Sequence, residues 1–116
     1  MNKIDLNHQE NEVETLFKSG ADKRQKGLYE ESIEDFLKAL EINPCHIASN
    51  YQISYSLRDL SRYQEALVYA NKIIDISPDR IIYEQRAMIK KYLGDFEGAN
   101  TDLNIALSIP KDDCWC

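Results

Sequence analysis

The sequence predicts an all-α protein, an α-solenoid of three antiparallel helix pairs, and three observations carry that reading. First, one skeleton recurs: "GLYEESIEDFLKALEINP" at 27–44 returns as "SRYQEALVYANKIIDISP" at 61–78 and as "GDFEGANTDLNIALSIP" at 94–110. Gly27, Ser61 and Gly94 align, 34 and then 33 residues apart, as do Tyr29, Tyr63 and Phe96, then Ser32, Ala66 and Ala99, then Ala39, Ile73 and Ala106. Second, the apolar positions inside each copy follow helical spacing, as in Ile33, Phe36, Leu37 and Leu40, or Ala66, Leu67, Ala70, Ile73 and Ile74. Third, each copy closes on a proline, Pro44, Pro78 or Pro110. A proline forces the residue before it into extended geometry and so stops a helix.

Taken in order, the chain opens with a polar segment, 1–12, and a first helix is predicted over 14–26, with Leu16, Gly20 and Lys23 in it. Gly27 suits a left-handed residue that closes this helix and lets the chain reverse within a few residues. The second helix ends near Ile42. A third helix follows over 48–60, with Ile53, Ser54 and Leu57, and a fourth ends near Ile76. A fifth over 81–93 leads through Gly94 to a sixth ending near Ile109. Small residues at Gly20, Ser54 and Ala87 are expected to face Ser32, Ala66 and Ala99 and bring the two axes of each pair close together. Tyr29, Tyr63 and Phe96 are expected to wedge between successive pairs. The resulting organisation is one domain over 13–113, with repeats at about 13–46, 47–79 and 80–113, and a tail at 114–116.

Totals agree with this organisation. The 116 residues match the common domain size of about 100–150. At 43% hydrophobic and 29% charged, the chain has enough apolar surface to fold around a core rather than stay disordered. No apolar stretch is long enough to span a bilayer, and residues 1–12 lack a signal-type apolar core. A net charge of -6 argues against nucleic-acid binding, which needs clustered cations to displace counterions. Three cysteines, Cys45, Cys114 and Cys116, form no disulfide framework, and an odd count fits a reducing compartment. A cytoplasmic setting is the expectation.

A single helix pair cannot cover its own apolar face, so pairs must stack and share a core. The pattern resembles the tetratricopeptide repeat over residues 13–110. The matching residues are Leu16, Gly20, Gly27, Tyr29, Ser32, Phe36, Ala39 and Pro44 in the first copy. In the second they are Ser54, Tyr63, Ala66, Ala70 and Pro78, and in the third Tyr83, Ala87, Gly94, Phe96, Ala99, Leu103, Ala106 and Pro110. Departures are Asn50 in place of a bulky residue, Ser61 in place of the turn glycine, and a last proline one residue early.

The resemblance implies a right-handed superhelix whose concave face, lined by the first helix of each pair, holds a partner peptide or helix without catalysis. On that inward face it places Glu14, Phe17, Lys18, Ala21 and Arg24, then Ala48, Tyr51, Gln52, Tyr55 and Arg58, then Ile81, Glu84, Gln85, Met88, Lys91 and Tyr92. Four cations, Lys18, Arg24, Arg58 and Lys91, outnumber two acids, Glu14 and Glu84. Phe17, Tyr51, Tyr55, Met88 and Tyr92 are expected to take apolar side chains of a partner, while Arg24, Arg58 and Lys91 read its carboxylates. One subclass of the family grips the C-terminal carboxylate of heat-shock chaperones with lysine, asparagine and arginine. The corresponding positions here hold Phe17, Ala21, Gln52, Ile81 and Gln85, so that clamp is not expected. Alternative functions are a chaperone-like holder of one client protein and a self-assembling structural subunit.

Other signals carry less. Cys114-Trp115-Cys116 is a thiol pair, but with only His8, Cys45 and His46 as further soft ligands it makes no four-ligand metal set. Glu30, Glu31, Glu34 and Asp35 read as a solvated helix face, with acids in the first turn complementing the helix dipole. There is no glycine-rich phosphate loop and no nucleophile with a base and acid partner. Neither cofactor nor metal is expected. The sixth helix leaves Ile105 and Leu107 among polar neighbours and is followed only by "KDDCWC". That makes a homo-oligomer through this uncapped end a further expectation.

Overall fold

The computed structural model describes residues 3–110, with side chains from His8 onward. Cys114, Trp115 and Cys116, read from the sequence as a tail, lie outside the described residues. Six helices follow one another: α1 Lys3–Gln25, α2 Tyr29–Ile42, α3 Ile47–Asp59, α4 Tyr63–Ile76, α5 Arg80–Tyr92 and α6 Phe96–Ser108. Among the described residues there is no strand. Helices α2, α4 and α6 stop at Ile42, Ile76 and Ser108, at or one residue before the ends that the prolines dictate. Helix α1 differs: it runs back to Lys3, through residues read as a polar flank. That stretch holds no Gly or Pro and several good helix formers, but it lacks the apolar period by which a helix is recognised.

Each pair is closed by the same left-handed turn. Gly27 and Gly94 sit at φ 81° and 85°, and Ser61 takes the same conformation at φ 62°. Around each, the chain makes two reversed hydrogen bonds: Gly27 N to Arg24 O and Leu28 N to Lys23 O, Ser61 N to Arg58 O and Arg62 N to Leu57 O, Gly94 N to Lys91 O and Asp95 N to Lys90 O. This pairing satisfies the orphan carbonyls of the ending helix and turns the chain back in one step.

The turns bring apolar stripes together into one continuous core. Ile33, Phe36 and Leu40 of α2, Ile53 and Leu57 of α3, Ala66, Ala70 and Ile73 of α4, and Ile82 and Ile89 of α5 pack as a single buried cluster. Close approach within pairs is visible at two points. Ser54 Oγ donates to Ala66 O at 3.2 Å. Gly20 lies under the Phe36 ring rather than against Ser32, and a Cβ there would fall 2.7 Å from that ring. Tyr63 wedges between pairs as expected, stacking on Tyr92 with ring centroids 4.7 Å apart. Phe96 does not, being 62% exposed, because no described residue beyond α6 covers it. Asn50, fully buried, ties the first inter-pair turn by donating to the carbonyls of Pro44 and His46.

Two buried ion clusters set the register of α1 on α2 and of α5 on α6. Asp35, expected on a solvated face, is buried instead and accepts from Ser19 Oγ at 2.7 Å and Lys23 Nζ at 2.9 Å. Asp102, fully buried, accepts from Arg86 Nε and Nη2 at 2.8 and 2.7 Å and from Lys90 Nζ at 3.1 Å. The two aspartates occupy the same place in the first and third repeats, 67 residues apart, as do Lys23 and Lys90. The second repeat has Tyr69 and Leu57 there, so it carries no ion pair at this place. Burial pushes both carboxyls up, but the hydrogen bonds and charges of Ser19 and Lys23, and of Arg86 and Lys90, outweigh it and hold both below the ordinary carboxylate value.

Three outcomes follow from this packing. Ser61→Gly removes left-handed strain from a side-chain-bearing residue and raises stability by roughly 0.5–1 kcal/mol in urea unfolding. Gly20→Ala lowers it by about 1–2 kcal/mol, because overpacking against Phe36 exceeds the gain in helix propensity, and Phe36→Leu in the same chain restores most of the loss. Asp102→Asn costs about 3 kcal/mol at neutral pH by leaving two cations without their acid. Since the folded-state carboxyl titrates below 3.8, its contribution is complete above that pH and drains away as the pH falls below it. Unfolding curves collected between neutral and strongly acid pH should therefore slope less for the asparagine variant than for the parent.

Candidate functional site

The first helices α1, α3 and α5 form one layer, stitched by cations that reach from each to the next. Arg24 and Arg58 share a repeat position, as does Lys91. Arg24 donates to Ser56 Oγ at 3.1 Å and to Asp59 Oδ2 at 2.7 Å on α3. Arg58 donates to Gln85 Oε1 at 2.6 Å and meets Met88 Sδ at 3.3 Å on α5. Between them lies the Tyr55 ring, 5.8 Å from the Arg24 guanidinium and 5.3 Å from that of Arg58, which gives cation–π contacts on both sides. Tyr51 stands beside it one turn earlier, the two centroids 5.8 Å apart.

Residues expected to act alike are sorted by this geometry. Tyr51, half-buried, packs on the core cluster and donates its hydroxyl to Asp79 Oδ1 at 3.2 Å. Burial, reinforced by the Asp79 carboxylate, pushes that phenol well above its ordinary range. Tyr55 is pushed up by burial as well, with Arg58 and Arg24 opposing. Phe17 serves the core edge, its ring 5.6 Å from those of Phe36 and His46. Lys18 is exposed on α1 and lines an open depression with Phe17, Ala21, Arg24 and Gln52. Met88 and Tyr92 are 42% and 62% exposed, but the Tyr92 ring stacks on Tyr63 at the turn end of α5 rather than joining the Tyr51–Tyr55 pair. Lys91 is exposed and lines a second depression with Glu84, Met88, Phe96 and Leu103.

The electrostatic consequence differs between the two arginines. Arg24 is neutralised by Asp59, a pairing across 35 residues that no sequence pattern announces. Arg58 is oriented by a neutral amide and a thioether, and among the described residues no acid pairs with it. The arrangement can therefore present one fixed guanidinium, flanked by an aromatic plate, to an incoming anion. Of the two carboxylates that matter most to the helix positions, Asp35 was expected on a solvated face and Asp102 was not singled out. Their recurrence 67 residues apart, each facing a lysine at the same repeat position, was the available signal.

Comparison with known proteins agrees with the repeat architecture. A family model for the tetratricopeptide repeat matches residues 23–45 and 47–80. Human tetratricopeptide repeat protein 6 is 35% identical over 77 residues, which is 66% of this chain and 15% of that protein. A TPR repeat-containing protein of Methanocaldococcus jannaschii is 33% identical over 58 residues, 50% of this chain and 10% of that one. The chain thus spans a small part of the curated relatives it matches. Among solved structures, the second TPR of Spaghetti (RPAP3) bound to the HSP90 peptide SRMEEVD superposes with a TM-score of 0.80 at 17% identity, covering 90% of this chain and 99% of that one. The TPR domain of Arabidopsis FLU gives 0.78 at 22% identity, covering 86% and 95%. No described helix is long and apolar enough to cross a membrane. The family model covers α2 and the α3–α4 pair, the α5–α6 pair repeats their turn geometry, and the chain belongs to the tetratricopeptide repeat proteins.

Proposed function

We propose that this chain is a non-catalytic adaptor that holds a partner peptide or helix against the layer formed by α1, α3 and α5. The observation that carries the reading is Arg58, held over Tyr55 by Gln85 and Met88 with no acid of its own among the described residues. A charge oriented this way costs little further ordering when it binds a carboxylate. Lys18 and Lys91 extend the positive character along the same layer, within a chain that is acidic as a whole. Two structural neighbours hold an HSP90 peptide on this fold, which supports peptide capture as its use. The chaperone carboxylate clamp is not part of the proposal. Phe17 is committed to the core edge and Gln85 accepts from Arg58, so two positions a clamp would need are otherwise engaged. The free thiol of exposed Cys45 suits a reducing, cytoplasmic setting.

Selection from a peptide library displayed on phage tests this directly. The enriched peptides should combine an acidic residue with a large apolar one, and their binding should weaken as salt is raised. Arg58→Glu should lower affinity for them at least tenfold, about 1.4 kcal/mol, while the circular dichroism melt stays close to that of the parent. Failure to enrich any peptide, or equal binding by the Arg58→Glu chain, would refute the assignment.

A further inference from the structure

The last helix exposes an apolar seam that the repeat architecture elsewhere keeps covered. Leu107 is 72% exposed, whereas Leu40, its equivalent in the first repeat, is 8% exposed; Leu103 is 43% exposed, whereas Phe36 and Ala70 at the same position are fully buried. Phe96, Asn100, Leu103 and Leu107 follow spacings of four, three and four residues. Those spacings form a straight seam of the kind that pairs two helices, roughly 16 Å long at about 1.5 Å per residue. The flank of the seam has also lost charge. Where α2 carries Glu30, Glu34 and Glu41, α6 carries Glu97, Thr101 and Ser108.

The opposite end of the stack is built differently. Ile82 and Ile89 of α5 are buried against the preceding pair, but their equivalents on α1 are Thr15 and Asp22, both exposed, with Asp22 paired to Lys26 at 3.0 Å. The α6 seam therefore has no apolar counterpart on α1, and copies cannot stack head to tail into a filament.

We infer that the α6 seam pairs with the same seam of a second copy, antiparallel about a two-fold axis. Such a contact is self-complementary. It sets Phe96 against the partner's Leu107 and places Leu103 near the dyad beside the partner's Asn100. Lys91, at the Phe96 end, then lies by the C-terminal end of the partner's α6, whose last turn holds no basic residue of its own. Of the residues assigned to the peptide-binding layer only Lys91 is shared, and the variants that test the seam leave Lys91 and Arg58 unchanged.

Sedimentation velocity of the intact chain, from low micromolar to several hundred micromolar, should show a monomer–dimer equilibrium and no larger species. Leu107→Asp should weaken it at least a hundredfold while the helical circular dichroism signal stays at the parent level, since that side chain is 72% exposed. Phe96→Ser should act in the same direction, and Thr15→Asp, at the polar end, should leave the dimer intact. A monomer at every concentration would overturn the inference. A monomer whose lone tryptophan shows a blue-shifted emission lost in Leu107→Asp would instead assign the seam to the tail. Growth beyond dimers, or a dimer indifferent to Leu107→Asp, would equally reject the two-fold contact.

Discussion

Everything in this molecule depends on a shortage of apolar cover within each helix pair. Ile33, Phe36 and Leu40 on α2 cannot all be buried by α1; they are finished only by Ile53 and Leu57 of the following pair, and α4 stands in the same relation to α5. The core is therefore held in common rather than divided into three. That forces every pair to offer its neighbour the same shape, and a chain under that demand repeats.

Within that common core the three pairs are not energetically alike. The first and third place an aspartate and a lysine where the second places Tyr69 and Leu57. Buried ions contribute uncertainly to net stability but penalise any arrangement that separates them. Their place in this stack is at the flanking pairs, each of which has a packed neighbour on one side only among the described residues. A slip of α5 along α6 by one turn would strand Asp102 away from both Arg86 and Lys90, whereas a similar slip in an all-apolar contact costs only packing. The terminal pairs thus carry a directional constraint that the central pair receives from two neighbours.

Much of this was legible in the sequence, and the reason is local. Turn positions announce themselves because a left-handed residue favours glycine, so Gly27 and Gly94 mark two reversals and the aligned Ser61 marks the third. Helix ends announce themselves through Pro44, Pro78 and Pro110. What stayed hidden depends on contacts far apart in the chain. An aspartate on a helix reads the same whether it faces water or Lys23, so Asp35 was assigned to the surface. Arg24 reads as a free cation until Asp59, 35 residues away, is found beside it. The start of α1 was missed because the described side chains ahead of Val13, His8 to Glu12, are exposed, and amphipathic period is a signature of burial rather than of helicity.

The contrast between the outer and central repeats has a consequence for how the stack comes apart. Acidification removes the charge on Asp35 and Asp102 but finds no equivalent carboxylate inside the second repeat. Amide exchange measured in acid strong enough to protonate these two carboxyls, which titrate below the ordinary aspartate value, should accordingly quicken first in α1 and α6 and last around Ile53 and Ile73. Protonation would peel the array from its two extremities inward, leaving a central hairpin as the last shielded island.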